Sequence, residues 1–344
     1  MVLRRRGERT TRGIALVAVL ALAAAGCSGS SGEGSDDGAG DEAASTTAAA
    51  EETTTTTEAP VARSAGCGLA PDVEQPAQER PGDVELTFES GGVERIYRLG
   101  IPEGYDPDVP APLLLNLHGS GSNALQASVY GDVPRLAGER GMVTVTPQGV
   151  DGQWQLVAAG TDATFLAELV DDVSARYCID ELRLHMIGMS LGAWKAASTA
   201  CAEGRWASIA LVTVEVFPGA CEPMPVVAFH GTADPVVPYG EGGEPGIEVG
   251  GRNGRLPGVH QNMANWAESG GCDPEPAVER IGDDVERWIY EGCDEGVGVE
   301  LYTIEGGGHT WPGADIDIAD ASMTTDTIDA TEIALDWFEA HPRR

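Results

Sequence analysis

IGMSLGA, residues 187–193, directly follows an apolar run over residues 182–187 and leads into a helix-forming segment. Gly188, Ser190 and Gly192 give it the pattern Gly-x-Ser-x-Gly, in which a serine occupies a sharp turn between a strand and a helix. The backbone at such a serine is strained, and glycines two residues before and after it relieve the crowding. The pattern predicts a nucleophilic serine at a helix N-terminus, with an ordinary glycine-rich turn as the alternative.

The first 66 residues do not have the composition of a packed domain. Arginines precede an apolar run over residues 14–25, which is too short to span a bilayer and ends at Gly26-Cys27. Residues 1–26 are therefore expected to be a signal peptide, with a lipid attached at Cys27 as in bacterial lipoproteins. Ordinary cleavage and release of a secreted protein is the alternative. Residues 27–66 are rich in Ser, Thr, Gly and acidic residues, which predicts a disordered tether.

The formal net charge is −34, and most of it lies after residue 66. A strongly acidic surface repels nucleic acids and anionic membranes, so we expect no nucleic-acid partner and no membrane contact except through a lipid anchor. The protein is expected to be a monomer.

Six cysteines follow Cys27 in a chain that is expected to leave the cytosol, which predicts three disulfides among fifteen possible pairings. Nearness along the chain allows Cys201 to pair with Cys221 and Cys272 with Cys293, and leaves Cys67 and Cys178 for each other. None has the Cys-x-x-Cys spacing of a metal site, so no metal is predicted.

From Cys67 onward, strand patterns alternate with helix patterns. Residues 84–88 and 95–101 predict an antiparallel hairpin, and the later strands are expected at residues 113–117, 142–146, 182–187, 209–214, 226–229 and 299–304. Helices are expected at residues 124–139 and 161–177, and a last one begins at an N-cap, Asp329, with Glu332 as its capping partner. This order predicts an α/β domain over residues 67–344, with a mostly parallel sheet covered on both faces and the hairpin at one edge. Residues 240–258 are expected to form a surface loop.

A serine nucleophile needs a histidine base, and four histidines follow Ser190. His309 is favoured because it follows the strand at 299–304 and three glycines, which place an imidazole in a loop with little bulk around it. Structural or surface roles are expected for His230, His260 and His341.

The carboxylate that orients the base should follow the end of a strand between Ser190 and His309. Asp234 fits best because it lies just after the strand at 226–229. The other candidates lie in polar sequence near cysteines and are expected to be solvated surface acids: Asp273, Asp283, Asp284 and Asp294.

An oxyanion hole needs two backbone donors, one of them directly after the nucleophile. Leu191 supplies the first amide, and Ser120 or Gly121, in the loop after the strand at 113–117, supplies the second. His118 is expected to shape that loop.

Four motifs together resemble the polyhydroxybutyrate depolymerase and feruloyl esterase family of α/β-hydrolases, including its actinobacterial lipoproteins. They are LHG at 117–119, GMSLG at 188–192, HGTADPVVPY at 230–239 and EGGGHTWPG at 305–313. The resemblance extends over residues 84–341 and implies an α/β-hydrolase fold with Ser190, Asp234 and His309 as its catalytic triad. It also supports the pairs Cys201–Cys221 and Cys272–Cys293.

The resemblance implies a surface-anchored or secreted serine esterase that needs no cofactor and forms an acyl-enzyme. Feruloyl, acetyl or short-chain acyl esters, free or linked to polysaccharide, are the expected substrates, with polyhydroxyalkanoate oligomers as the alternative. Trp154 and Trp311 are candidates for lining the pocket, and packing in the core is the competing role for both. A noncatalytic binding lipoprotein with the same fold is the alternative of another class.

Overall fold

The computed structural model describes residues 60–73, 80–157, 159–240, 257–316, 318 and 320–344. The predicted signal peptide, Cys27 and most of the predicted tether lie outside these residues, as does most of the predicted surface loop at 240–258. Residues 60–66, which the sequence assigns to the tether, contact the domain. The Ser64 amide donates to the Ile179 carbonyl at 2.9 Å, and the backbone of Arg63 pairs with that of Asp180 in an isolated antiparallel β-bridge.

Ten strands of the described residues form one sheet in the order β1-β2-β4-β3-β5-β6-β7-β10-β9-β8. The strands are β1 (Val84–Ser90), β2 (Val93–Gly100), β3 (Ala111–Leu117), β4 (Val143–Pro147), β5 (Ile179–Met189), β6 (Ser208–Val212), β7 (Val226–Gly231), β8 (Ala277–Ile281), β9 (Val285–Tyr290) and β10 (Val299–Ile304). The neighbouring strands β4, β3, β5, β6, β7 and β10 are parallel to one another, while β1 and β2 are antiparallel at one edge. The predicted α/β fold, with its edge hairpin, is confirmed.

Helices cover both faces of the sheet. They are α1 (Ala124–Tyr130), α2 (Val133–Glu139), α3 (Thr161–Arg176), α4 (Leu191–Glu203), α5 (Val259–Ser269) and α6 (Ala330–Ala340). Successive side chains of β3 enter different cores: Leu113 and Leu115 pack in one core with α3, α4 and α5, whereas Leu114 packs in the other with α2 and α6. The period of two in a strand thus builds a core on each face.

The single helix predicted over residues 124–139 is two helices. The break falls at Gly131 and Asp132, because Asp132 has a left-handed backbone with φ of 54° and Pro134 lies in the first turn of α2. Gly131 also leaves no room for a side chain, since a Cβ atom there would lie 2.4 Å from the Trp311 ring.

The second hairpin, β8 and β9, was not predicted. The sequence of β8 is polar because this strand lies exposed at the edge of the sheet. A tight turn, with Gly282 in a left-handed conformation, joins β8 to β9. Asp283 lies exposed in this turn, and Asp284, also at the surface, accepts hydrogen bonds from the hydroxyls of Thr325 and Thr327.

Three disulfides join the cysteines that the sequence paired: Cys67–Cys178, Cys201–Cys221 and Cys272–Cys293. At the N-terminus of α6, the Asp329 carboxylate accepts from the amides of Thr331 and Glu332, as predicted for an N-cap. The Glu332 carboxylate pairs with Arg140 at 2.7 Å. Among the described residues, no helix is both long and apolar enough to cross a bilayer.

Candidate active site

The turn between β5 and α4 holds Ser190 in a strained conformation, with φ of 56° and ψ of −123°. Its amide donates to the Val212 carbonyl at 2.9 Å, which ties the turn to the end of β6. Gly188 and Gly192 face each other so closely that a Cβ atom on Gly188 would lie 2.5 Å from the Gly192 carbonyl carbon. These contacts explain why the motif needs both glycines, and they leave the Ser190 side chain half-buried at the carboxyl edge of the sheet.

The loop after β3 lies directly against this serine. A Cβ atom on Gly119 would lie 3.4 Å from Ser190 Cβ. The Gly121 amide donates to the Gly152 carbonyl at 2.8 Å, so it is already engaged within the loop. Of the two amides that the sequence left open, this favours Ser120 as the partner of Leu191, whose amide begins α4 and is one of the donors that a helix leaves unpaired.

His118 shapes this loop, as the sequence predicted. Its Nδ1–H donates to the Gly119 carbonyl at 2.8 Å, and its Nε2 accepts from the Gly149 amide at 2.9 Å. This pattern needs a neutral ring, and burial lowers the pKa of His118 more than the Gly119 carbonyl raises it. The Trp154 indole donates to the His118 carbonyl at 2.9 Å and supports the loop from behind.

Asp234 and His309 meet where the loops after β7 and β10 lie side by side. His309 Nδ1 donates to Asp234 Oδ2 at 2.7 Å, and Asp234 Oδ1 accepts from the amides of Val236 and Val237 at 2.7 and 2.9 Å. Burial alone would raise the pKa of Asp234, but hydrogen bonds from His230 and His309 hold it well below its usual range. The carboxylate is fully buried, whereas the His309 side chain is 16% exposed and so remains accessible.

The two loops are held together by backbone contacts. The Ala233 amide donates to the Gly307 carbonyl at 2.8 Å, and the Gly306 amide donates to Thr232 Oγ1 at 2.8 Å. Gly231 permits this approach, because a Cβ atom there would lie 2.2 Å from the Gly307 carbonyl oxygen. The glycines of both motifs therefore fix the distance between the carboxylate and the imidazole.

His230 is buried, as expected of a structural residue, but it also contacts the site. Its Nδ1 lies 2.7 Å from Glu215 Oε2, and its Nε2 lies 3.0 Å from the Val237 carbonyl and 3.4 Å from Asp234 Oδ2. Burial lowers the pKa of His230, but the charge of Glu215 and the hydrogen bonds to Asp234 and Glu215 together raise it to about 10. Glu215 could not be identified from the sequence, since no motif marks it.

The two tryptophans proposed for the substrate pocket are core residues instead. Trp154 is 5% exposed and Trp311 is 3% exposed. Trp311 packs near the Tyr130 ring and against Gly131, and its indole donates to Thr331 Oγ1 at 3.0 Å. Both indole N–H groups therefore bond within the protein, and neither buried tryptophan ring is available to a ligand.

The remaining histidines lie apart from the Asp234–His309 pair. His260 is exposed at the start of α5 with its ring 4.3 Å from that of Trp288, and His341 ends α6 with its ring 4.0 Å from that of Trp337. Within the ranges that the structure describes, no group of three or more His, Cys, Asp or Glu residues is arranged to hold a metal ion.

Similar proteins are mostly named as esterases. No protein-family model matches the chain. Feruloyl esterase B of Piromyces equi is 30% identical over 224 residues, and the match covers 60% of this chain but only 41% of that protein's length. Feruloyl esterase C of Emericella nidulans is 27% identical over 264 residues, covering 72% of this chain and 84% of that protein. A solved acetyl xylan esterase from Aspergillus awamori has a TM-score of 0.53 at 13% identity, covering 75% of this chain and 99% of the other, which indicates a shared fold.

Proposed function

We propose that the chain is a carboxylic-ester hydrolase of the α/β-hydrolase type, similar to the feruloyl esterases, with Ser190, His309 and Asp234 as its catalytic triad. The observation that carries the proposal is the 2.7 Å hydrogen bond between His309 Nδ1 and the buried Asp234 carboxylate. It lies at the same edge of the sheet as the strained Ser190 turn. A nucleophile on a sharp turn and an oriented imidazole are the two parts that acyl transfer requires.

The proposed reaction begins when Ser190 Oγ attacks the ester carbonyl carbon and His309 Nε2 takes the hydroxyl proton. Asp234 stays ionised, holds the imidazole in the required tautomer and stabilises the imidazolium that forms. The amides of Leu191 and Ser120 donate to the oxyanion of the tetrahedral intermediate. His309 then protonates the leaving alcohol, and a water molecule, activated in the same way, hydrolyses the acyl-enzyme and restores Ser190.

We propose feruloyl, acetyl or short-chain acyl esters, free or linked to polysaccharide, as the substrates. The feruloyl esterases among the relatives support this class over polyhydroxyalkanoate oligomers, which remain the second candidate. A noncatalytic binding role is disfavoured, because each triad position holds the residue that the chemistry needs.

The protein is proposed to act outside the cytosol as a monomer, held at the cell surface by a lipid on Cys27. Three disulfides support an oxidising compartment, and the arginine-rich and apolar segments before Gly26-Cys27 support export. Mass spectrometry of the mature N-terminus tests the anchor: a diacylglycerol on Cys27 is expected, and an unmodified residue contradicts it.

Hydrolysis of p-nitrophenyl acetate and methyl ferulate by the full chain tests the proposed activity. Ser190→Ala is expected to reduce kcat to near the background rate. Ser122→Ala provides a matched control, because this half-buried serine lies in the loop after β3 and its hydroxyl bonds to the Gln126 side chain. A folded wild type as inert as Ser190→Ala on both esters would argue for the noncatalytic alternative.

A further inference from the structure

Behind the proposed triad lies a histidine between two carboxylates. We propose that Glu215 and His230 form a buried ion pair that positions Asp234 for its hydrogen bond to His309. This inference rests on the proposed function of Asp234 and His309, but the existence of the pair can be tested without any activity.

The geometry requires a donor at both nitrogens of the His230 ring. Nδ1 lies 2.7 Å from a Glu215 carboxylate oxygen, and Nε2 lies 3.0 Å from the Val237 carbonyl oxygen. A neutral imidazole carries one N–H, so beside an ionised Glu215 one of its nitrogens would present a lone pair to an oxygen that cannot donate. The protonated ring satisfies both oxygens.

The charges around the ring also favour the protonated form of His230. The side chains of His230 and Asp234 are fully buried and that of Glu215 is 4% exposed. Two carboxylates without a cation in such a place would each lose hydration and repel one another. Apart from these two, the group that faces the ring is Tyr239, which approaches edge-on at 5.6 Å between ring centres. An imidazolium at His230 compensates the buried negative charge.

Glu215 is itself held firmly in place by α5. The Asn262 amide donates to Glu215 Oε1 at 3.1 Å, and the Trp266 indole donates to the Glu215 carbonyl at 3.0 Å. The chain reaches this position through Thr213, which has a φ of 65° just after β6. A left-handed backbone is rare for a β-branched residue and is expected only where the surrounding structure enforces it.

His230, near the end of β7, acts on Asp234 through the loop that follows this strand. Its Nε2 holds the Val237 carbonyl, while the Val237 amide donates to Asp234 Oδ1 at 2.9 Å. The same Nε2 lies 3.4 Å from Asp234 Oδ2, the oxygen that accepts from His309. The ring therefore constrains both oxygens of the carboxylate, and we assign His230 and Glu215 as positioning residues.

Histidine ¹⁵N NMR on the full chain tests the ion pair directly. At about pH 8, where an unperturbed histidine is neutral, His230 is expected to show two protonated ring nitrogens. His185 is the internal control, because this buried ring on β5 contacts Ser208 Oγ, and its pKa is lowered to about 3 by burial and, to a lesser extent, by Arg183 and His341. A His230 signal with one unprotonated nitrogen overturns the pair and would place the proton on Glu215.

Glu215→Gln tests the positioning role, because it keeps the shape of the side chain and removes its charge. We expect kcat for p-nitrophenyl acetate to fall roughly 10- to 100-fold, as for a small misplacement of a catalytic group, with KM changed less than about threefold. His230→Gln is expected to do the same, whereas His185→Gln, an equally buried histidine whose ring contacts Ser208 and Phe338 and not the Asp234 loop, should leave kcat unchanged.

The outcomes separate this inference from the proposed function. A protonated His230 together with a wild-type kcat in folded Glu215→Gln overturns the positioning role. An inert wild type with a protonated His230 would refute the esterase and leave the ion pair standing.

Discussion

Replacing Gly192 with alanine tests whether the turn at Ser190 sets the geometry of the oxyanion hole. A Cβ atom on Gly192 would lie 2.1 Å from the Leu117 carbonyl oxygen and 2.6 Å from that of His118. Ordinary carbon–oxygen contact needs about 3.4 Å, so the end of β3 would have to move by about 1 Å. The amide proposed for the oxyanion, that of Ser120, lies three residues after Leu117, the last residue of β3, and would move with it.

The expected loss is about 100-fold in kcat, because a displacement of about 1 Å at a catalytic group costs this much. Overpacking should also lower the free energy of unfolding by about 1–3 kcal/mol, against a gain of about 1 kcal/mol from the better helix propensity of alanine. The assays are p-nitrophenyl acetate hydrolysis and chemical denaturation. Gly240→Ala is the matched control, since a Cβ atom there meets nothing within 4 Å. A Gly192→Ala protein with kcat within about twofold of wild type would show that this turn does not set the geometry of the oxyanion hole.

Three further predictions concern the charges and cross-links of the domain. Asp234→Asn should lower kcat about 10⁴-fold because His309 loses the acceptor that fixes its tautomer, and a loss below tenfold in steady-state kinetics would remove Asp234 from the triad. Replacing the Cys67–Cys178 pair, which closes a separation of 111 residues, with alanines should lower the free energy of unfolding by about 4–5 kcal/mol in denaturant titrations; no change would show that the bridge does not limit the unfolded chain. Because the pKa of His230 is raised to about 10, its contribution to stability is complete below the unfolded value of about 6.5 and is lost as the pH rises toward 10. Unfolding measured across this range should show a falling free energy, and a flat profile would contradict a charged His230.

The parts of the site that lie next to strand ends could be predicted from the sequence. Ser190, Asp234 and His309 each follow an apolar strand within a few residues, and parallel strands bring their carboxyl ends to one edge. The glycines around them mark close backbone approaches, which the structure contains at Gly231 and Gly192. Local sequence and sheet topology were enough to place these three residues at one edge of the sheet.

The parts that depend on contacts between distant elements could not be predicted. Glu215 reaches His230 only because of the left-handed turn at Thr213 and the anchor on α5, and neither leaves a pattern in the sequence. The burial of Trp311 depends on its fit against Gly131, 180 residues earlier in the chain, which also breaks the helix predicted there. The edge hairpin β8–β9 lacks an apolar face to reveal it, since β8 is exposed along nearly its whole length.

Covalent labelling tests most directly whether Ser190 is the nucleophile. A fluorophosphonate ester phosphonylates a serine that is activated by a histidine, with loss of fluoride, and leaves a stable adduct. Intact mass and peptide mapping of the full chain should show one adduct, on the peptide containing Ser190, and Ser190→Ala should show none. An adduct on another residue, or undiminished labelling of Ser190→Ala, would contradict the account.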